Sequence, residues 1–249
     1  MNSSPLEPCQ RAALHPLVRH SPAVNFFEGA ILGNGGLGAI VCTRPDAVVI
    51  HFGHNNVWDI RLDESRKNEY GTFREVFEKV KAAPASLKEL MDDPWCRNYF
   101  ELTRESYAQP YPRPFPCGSL RIGFDRRDAE LTGHRVDIST GMAEIEFLIG
   151  GEPAKLQLFT DMHADALWLR MSGPCPFRTI RLIPHQESAP APGIEPLPPF
   201  EVPGEMSGET VAYRQVLPFE VRRDPARPHP KDRAFRLGVR VNRPLERRT

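Results

Sequence analysis

The stretch ILGNGGLGAIVC, Ile31–Cys42, sets Gly33, Gly35 and Gly38 at the G-x-G-x-x-G spacing of a dinucleotide-binding loop. Asp59 follows roughly where a ribose-binding acid is sought. That motif needs a helix after its last glycine, because the pyrophosphate sits on helix N–H groups. The residues after Gly38, AIVCTRPDAVVIHFGH, do not supply one. Val41, Thr43, Val48, Val49 and Ile50 are β-branched and favour a pleated surface. Pro45-Asp46 then interrupts too early for a crossover helix. The spacing predicts a strand, a turn near Arg44–Ala47 and a second strand through His51. The glycines serve a tight bend, and no nicotinamide or flavin cofactor is expected.

Outward from this hairpin, the period of two returns from residue 117 onward. GSLRIGFD, AELTGHRVDIST, MAEIEFLIGG, AKLQLFTDM, DALWLRMSG and FRTIRLIP read as six strands separated by turn residues. Gly150-Gly151 marks a hairpin between two of them. Two or three more strands are expected around 209–222 and 234–241. Between the halves, Phe73, Val76, Phe77 and Val80 fall at i, i+3, i+4, i+7, a helix face. Leu87, Leu90 and Met91 suggest a second short helix beyond Pro84. Residues 98–116 and 188–204, rich in proline, read as extended loops. The fold class is mainly β, an antiparallel β-super-sandwich with a short helical insertion near 72–92. Residues 1–22 are expected as an irregular leader and 23–249 as one domain.

The chain has 249 residues, 40% hydrophobic and 26% charged, with zero net charge. That is an ordinary globular composition. No apolar run spans a bilayer and the N-terminus lacks the apolar core of a signal peptide, so a cytoplasmic protein without a membrane partner is expected. Five cysteines are scattered with no C-x-x-C pair, and Cys42 and Cys117 read as buried, inert thiols. Of the 32 basic residues 11 lie in 214–249, against 4 of the 32 acidic ones. These arginines form no helical stripe and have no interleaved aromatics, so a solvated or partner-facing surface is expected, not nucleic-acid binding.

Three groupings could carry chemistry. His51-x-x-His54 approaches metal-ligand spacing, but residues three apart on a strand face opposite ways and no third ligand is evident. No metal site is expected. Asp161, His163 and Asp165 alternate as D-x-H-x-D, and a hydrogen-bonded turn between strands is expected there, since no nucleophile stands beside it. Glu144 and Glu146, with Glu28, offer carboxylates of the kind glycosidases pair. Their alternation with Ile145 and Phe147 puts Glu144 and Glu146 on a solvated strand face.

With these motifs in order, EGAILGNGGLGAIV (Glu28–Val41) resembles the P-(I/L)-G-N-G-(R)-L-G-A-M-V signature of the N-terminal domain of glycoside hydrolase family 95. Gly36 stands where that family usually has Arg. AVVIHFGHNNVWDIR occupies the slot of the family's second strand and N-E-D-T-L-W segment, with Asn56 and Trp58 as matches. The strands of 117–173 resemble the family's downstream succession. The resemblance implies an N-terminal β-super-sandwich of an inverting α-L-fucosidase or α-L-galactosidase type of enzyme, whose acid and base lie in a separate (α/α)6 barrel. It therefore implies no catalytic residue in this chain, a carbohydrate ligand, and a helical catalytic domain or partner chain.

Asn34, Asn56 and Trp58 are the candidate substrate-binding residues, with no metal and no cofactor. The Gly33–Gly38 bend is expected to approach Asn55–Trp58, with Asn34→Ala sparing the fold. The alternative is a stand-alone glycan-binding module that uses Trp58 and the aromatics of 99–115 as stacking platforms.

Overall fold

Alternating apolar side chains close a two-layer sandwich. The computed structural model describes residues 7–59, 72–82, 92–106, 113–187, 196–203, 208–217 and 234–242. Sheet A has the order β1 (Leu17–Arg19), β8 (Ala129–Asp137), β9 (Met142–Ile149), β10 (Glu152–Thr160), β11 (Leu167–Ser172). Sheet B has the order β12 (Phe177–Ile183), β7 (Ser119–Phe124), β4 (Ala47–His54), β3 (Leu37–Arg44), β2 (Ala30–Gly33). The pairings within both sheets are antiparallel. All six runs read from residue 117 onward are strands, and the first hairpin turns between Arg44 and Ala47 as expected. Gly150 and Gly151, at φ +60° and +87°, make the β9–β10 turn.

The inward residues of the two sheets form one core. Register places Leu156 opposite Ile145, Leu158 opposite Ala143 and Ala154 opposite Phe147, all buried. Sheet B answers with Val41, Val48, Ile50, Leu120 and Ile122. Phe147 of sheet A sits edge-on between Phe124 and Phe177 of sheet B, with centroids 5.5 and 5.8 Å away. Full burial of each such side chain contributes about 1.5–3 kcal/mol.

A further hairpin, β13 (Thr210–Val216) with β14 (Ala234–Arg240), covers one end of the core. The buried Tyr213 hydroxyl donates to the Cys117 carbonyl. Gly118 beside it is at φ +90°, and a Cβ there would collide with the Tyr213 hydroxyl and the Ile183 carbonyl. Cys42 and Cys117 are both buried, and burial pushes the Cys117 thiol up to about 11, which leaves it protonated and unreactive.

Two parts of the chain depart from the sequence reading. Residues 1–22 were expected to be irregular, yet they contain α1 (Pro8–Ala13) and β1, whose residues pair with His134–Val136. Residues 98–116 were expected as an extended loop, yet α3 (Pro94–Ser106) runs through the first part of it. Asp93 accepts from the Cys96 N–H at 2.9 Å and Pro94 opens the first turn, a strong helix start. Trp95 stacks on Tyr99 one turn later at 5.2 Å, and the prolines that suggested extension begin only at Pro110. The predicted helix around Phe77 is α2 (Phe73–Lys81), opened by a capping box between Thr72 and Glu75. Leu87, Leu90, Met91, Tyr107 and Tyr111 lie outside the described residues. Among the described residues no helix is long and apolar enough to cross a membrane.

Two histidines make the fold acid-sensitive. Burial, then the nearby guanidinium of Arg19, holds His134 below the ordinary imidazole range, and its Nδ1 has no hydrogen-bond partner among the described residues. Burial, then Arg44, lowers His51 likewise. Both states are neutral above the ordinary range and contribute nothing there. As pH falls through it, the unfolded chain takes up protons that the folded chain refuses, so stability drops until the lowered folded values are reached. Urea midpoints measured across this window should fall with pH, and the slope should flatten in a His51→Gln/His134→Gln variant. An unchanged slope in that variant would contradict the assignment.

Candidate functional site

Three turns meet at one end of the sandwich: the β2–β3 turn Gly33–Leu37, the segment His54–Trp58 after β4, and the β10–β11 turn Asp161–Ala166. The first is a tight hairpin because Gly33 and Gly38 pair across it and Gly35 takes φ +91°. Such a φ disfavours any side chain, and at Gly35 the cost of one is conformational alone, since a Cβ would meet nothing within 4 Å. No helix follows Gly38, which is already in β3, so this is not a dinucleotide loop.

Asn34 is the centre of the corner. Its Oδ1 accepts from the N–H groups of Gly36 at 2.9 Å and Leu37 at 2.8 Å. Its Nδ2 donates to the carbonyls of Asp161 at 2.7 Å and Ala164 at 3.0 Å. An amide has two donor hydrogens and two acceptor lone pairs, so the side chain is fully satisfied within the protein. Sheet B and sheet A are thereby joined through one residue. Asn34 works here as a clasp, and none of its four hydrogen-bonding positions is left for a ligand.

The second segment is tied to the same hairpin. Asn55 donates from its backbone to the Gly36 carbonyl and from Nδ2 to the Gly35 carbonyl, each at 3.0 Å. The expected approach of the glycine bend to Asn55–Trp58 is therefore present. The Trp58 indole N–H donates to the Asn55 carbonyl at 2.6 Å, which leaves the ring 40% exposed. Asn56 is exposed, and its side-chain amide has no hydrogen-bond partner among the described residues. Asp59, the acid at the ribose-binding spacing, is instead buried in the short strand β5 (Trp58–Asp59), paired with β6 (Arg113–Pro114).

His54 and Asp165 form a pair that sequence reasoning missed. Nε2 of His54 lies 3.2 Å from Asp165 Oδ2, while Nδ1 accepts from the Asn56 N–H at 3.1 Å. The partners assign the proton to Nε2. Both nitrogens are occupied, so the imidazole has no free position from which to take a substrate proton. A Cβ on Gly36 would lie 3.2 Å from Asp165 Oδ1 and 3.4 Å from His54 Nε2, so the glycine gives the pair its room. His51 does not join His54: its ring meets Phe26 at 5.4 Å.

The D-x-H-x-D stretch is the expected turn. Asp161 Oδ1 accepts from the His163 N–H at 2.8 Å, and Oδ2 accepts from the Trp168 indole at 3.3 Å. The first of these bonds, then the second, holds its carboxyl below the usual range. Of the other carboxylates singled out, Glu28 and Glu144 are also engaged, while the Glu146 carboxylate has no partner among the described residues. Glu28 pairs with Arg19 at 2.7 Å, and Glu144 accepts from Gln157 at 2.8 Å and Lys155 at 3.2 Å. Of the aromatics of 99–115, Phe115 is buried in the core and Tyr99 is stacked on Trp95. Neither is a free stacking platform, whereas Phe100, also on α3, is exposed.

The bonds of Asn34 overturn the expectation that Asn34→Ala spares the fold. Removing the amide strands two N–H groups and the Asp161 carbonyl, while the Ala164 carbonyl keeps the Ala166 N–H, a loss of about 2–3 kcal/mol given the partial exposure of the site. Asn34→Asp keeps the two acceptor bonds but turns a carboxylate oxygen towards two carbonyls, so it should recover little at neutral pH. Chemical denaturation of both variants checks this, and an unchanged unfolding midpoint for Asn34→Ala would contradict it.

Residues 17–191 match the family described as glycosyl hydrolase family 65, N-terminal domain. The match begins at the first residue of β1 and takes in both sheets and the three turns of the corner. None of the curated proteins compared with the chain matches it. Kinship with a glycoside hydrolase N-terminal domain is as the glycine motif implied, though the matching family carries the number 65 where 95 was expected. The matched residues are most of the chain, and the protein belongs to the glycosyl hydrolase family 65 N-terminal domain family.

Proposed function

We propose that this chain is the non-catalytic N-terminal β-sandwich of a family-95-like glycoside hydrolase acting on α-L-fucosides or α-L-galactosides. In this reading residues 23–249, together with β1, act as one domain beside a helical catalytic barrel in the cytoplasm. The corner of three turns is the surface presented to that barrel, with Asn56 and Trp58 towards the sugar and Asn34 holding them in place. The observation that carries the reading is the division of labour at the corner. Asn34, Asn55, His54 and Asp161 spend polar atoms on neighbouring groups of the three turns, whereas the Asn56 amide and the Trp58 ring face are left open. A flat indole with an adjacent amide suits a sugar ring.

The same geometry supports a non-catalytic role. An inverting glycosidase needs one carboxylic acid and one carboxylate free to face a glycosidic bond and a water. Glu28 and Glu144 are engaged with basic or amide groups, and Asp161 is engaged with the turn it builds.

The isolated chain should hydrolyse neither an aryl α-L-fucoside nor an aryl α-L-galactoside. In a protein that carries the helical barrel in cis, Asn56→Ala and Trp58→Ala should raise KM with little change in kcat, as expected for groups that bind ground and transition states alike. Turnover by the isolated chain that survives repurification and vanishes on a point mutation within it would overturn the non-catalytic assignment. An unchanged KM in both variants would remove the corner from the sugar site.

A further inference from the structure

The outward face of sheet A carries an aromatic pair that the core does not use. Phe159 on β10 and Trp168 on β11 are directly opposite in register and are 40% and 55% exposed. Their strand neighbours point inward: Leu158 is fully buried, and Leu167 and Leu169 pack on the core. Cross-strand partners have Cβ atoms about 5 Å apart, so the two rings form one apolar strip. The indole is held by its N–H on Asp161, which leaves its ring face as the available surface.

The next row on this face is a line of planar hydrogen-bonding groups. Arg170 is opposite Gln157, Gln157 is opposite Glu144, and Glu144 is opposite Arg135, a row across four strands. Gln157 and Lys155 both donate to Glu144, and these bonds hold its carboxyl ionised. Arg170 is exposed and has no hydrogen-bond or ion-pair partner among the described residues.

This chemistry selects among ligands. Arg135, Lys155 and Arg170 stand among Glu130, Asp137, Glu144 and Glu146, so the face has mixed charge and no strong field for a phosphate backbone or an acidic peptide. A covering protein domain would have to desolvate this charged row at the middle of its interface, where charged residues are normally depleted. A neutral polyhydroxylated ring meets both rows. Its C–H face lies on the aromatic strip, and its neighbouring hydroxyls pair with the two-pronged ends of Arg, Gln and Glu.

We propose that the outer face of sheet A is a glycan-binding platform on which Trp168 and Phe159 stack against pyranose rings and Arg170, Gln157 and Glu144 bind their hydroxyls. It is separate from the Asn56–Trp58 corner and needs no second domain, so it stands or falls apart from the family-95 reading.

The chain's three tryptophans, Trp58, Trp95 and Trp168, give three indole N–H resonances, which can be followed by NMR. The probes are cellotetraose, xylotetraose, maltotetraose and methyl α-L-fucopyranoside. At least one tetrasaccharide should shift the Trp168 resonance saturably, with a Kd of about 1 mM or tighter. Binding should be lost in Trp168→Ala and weakened about tenfold in Arg170→Ala. Both residues are exposed, so both variants should melt as the parent does. If no probe moves Trp168, or if binding persists undiminished in both variants, the platform is refuted and a protein-covered face replaces it. Either result leaves the barrel-dependent KM test untouched.

Discussion

One carboxamide holds the end of the sandwich on which the functional reading rests. Elsewhere the two sheets adhere through apolar contact, which is strong but non-directional and sets no particular alignment of surface loops. At the corner the four hydrogen bonds of Asn34 are directional, and they fix the β2–β3 turn of sheet B against the β10–β11 turn of sheet A. His54 with Asp165 adds a second tie between the same layers, and Asn55 ties the third segment to the glycine turn. Glycine at 35 and 36 follows from this arrangement. One supplies the backbone angle, and the other leaves space for the imidazole–carboxylate pair.

The fold was legible in the sequence wherever a short-range pattern decided it. Alternation from Leu120 to Ile183 sufficed for six strands, because each has one face on the core. The glycine motif was read correctly as a bend because the β-branched residues after Gly38 cannot continue as a crossover helix. Helix α3 is masked in the sequence by the prolines from Pro110 onward, although Asp93-Pro94 is a start signal and Trp95 and Tyr99 share a face. β1 escaped because three residues show too little alternation to register, and their order comes from pairing with His134–Val136 far along the chain.

The site was legible only in part. That the glycine bend would approach Asn55–Trp58 followed from neighbouring strands of one hairpin. The use of Asn34 did not, since its two carbonyl partners are about 130 residues away and a backbone carbonyl leaves no mark on composition. A separation of similar order hid the pairing of His54 with Asp165, since each belongs to a different local motif. Short-range reading can find the residues of such a corner, but their partners come from topology. The Asn56 amide, the Trp58 face and the Phe159–Trp168 strip are among the groups that the internal bonds do not consume.

The central claim is that the Asn34 side chain bridges the two sheets, and hydrogen exchange of its own amide protons tests it most directly. Both Nδ2 protons should exchange far more slowly than those of the exposed Asn56 amide, and the backbone N–H groups of Gly36 and Leu37 should be protected along with them. Asn34 protons that exchange at the rate of a free carboxamide, with Gly36 and Leu37 unprotected, would show that the clasp is not closed in solution and would contradict the account.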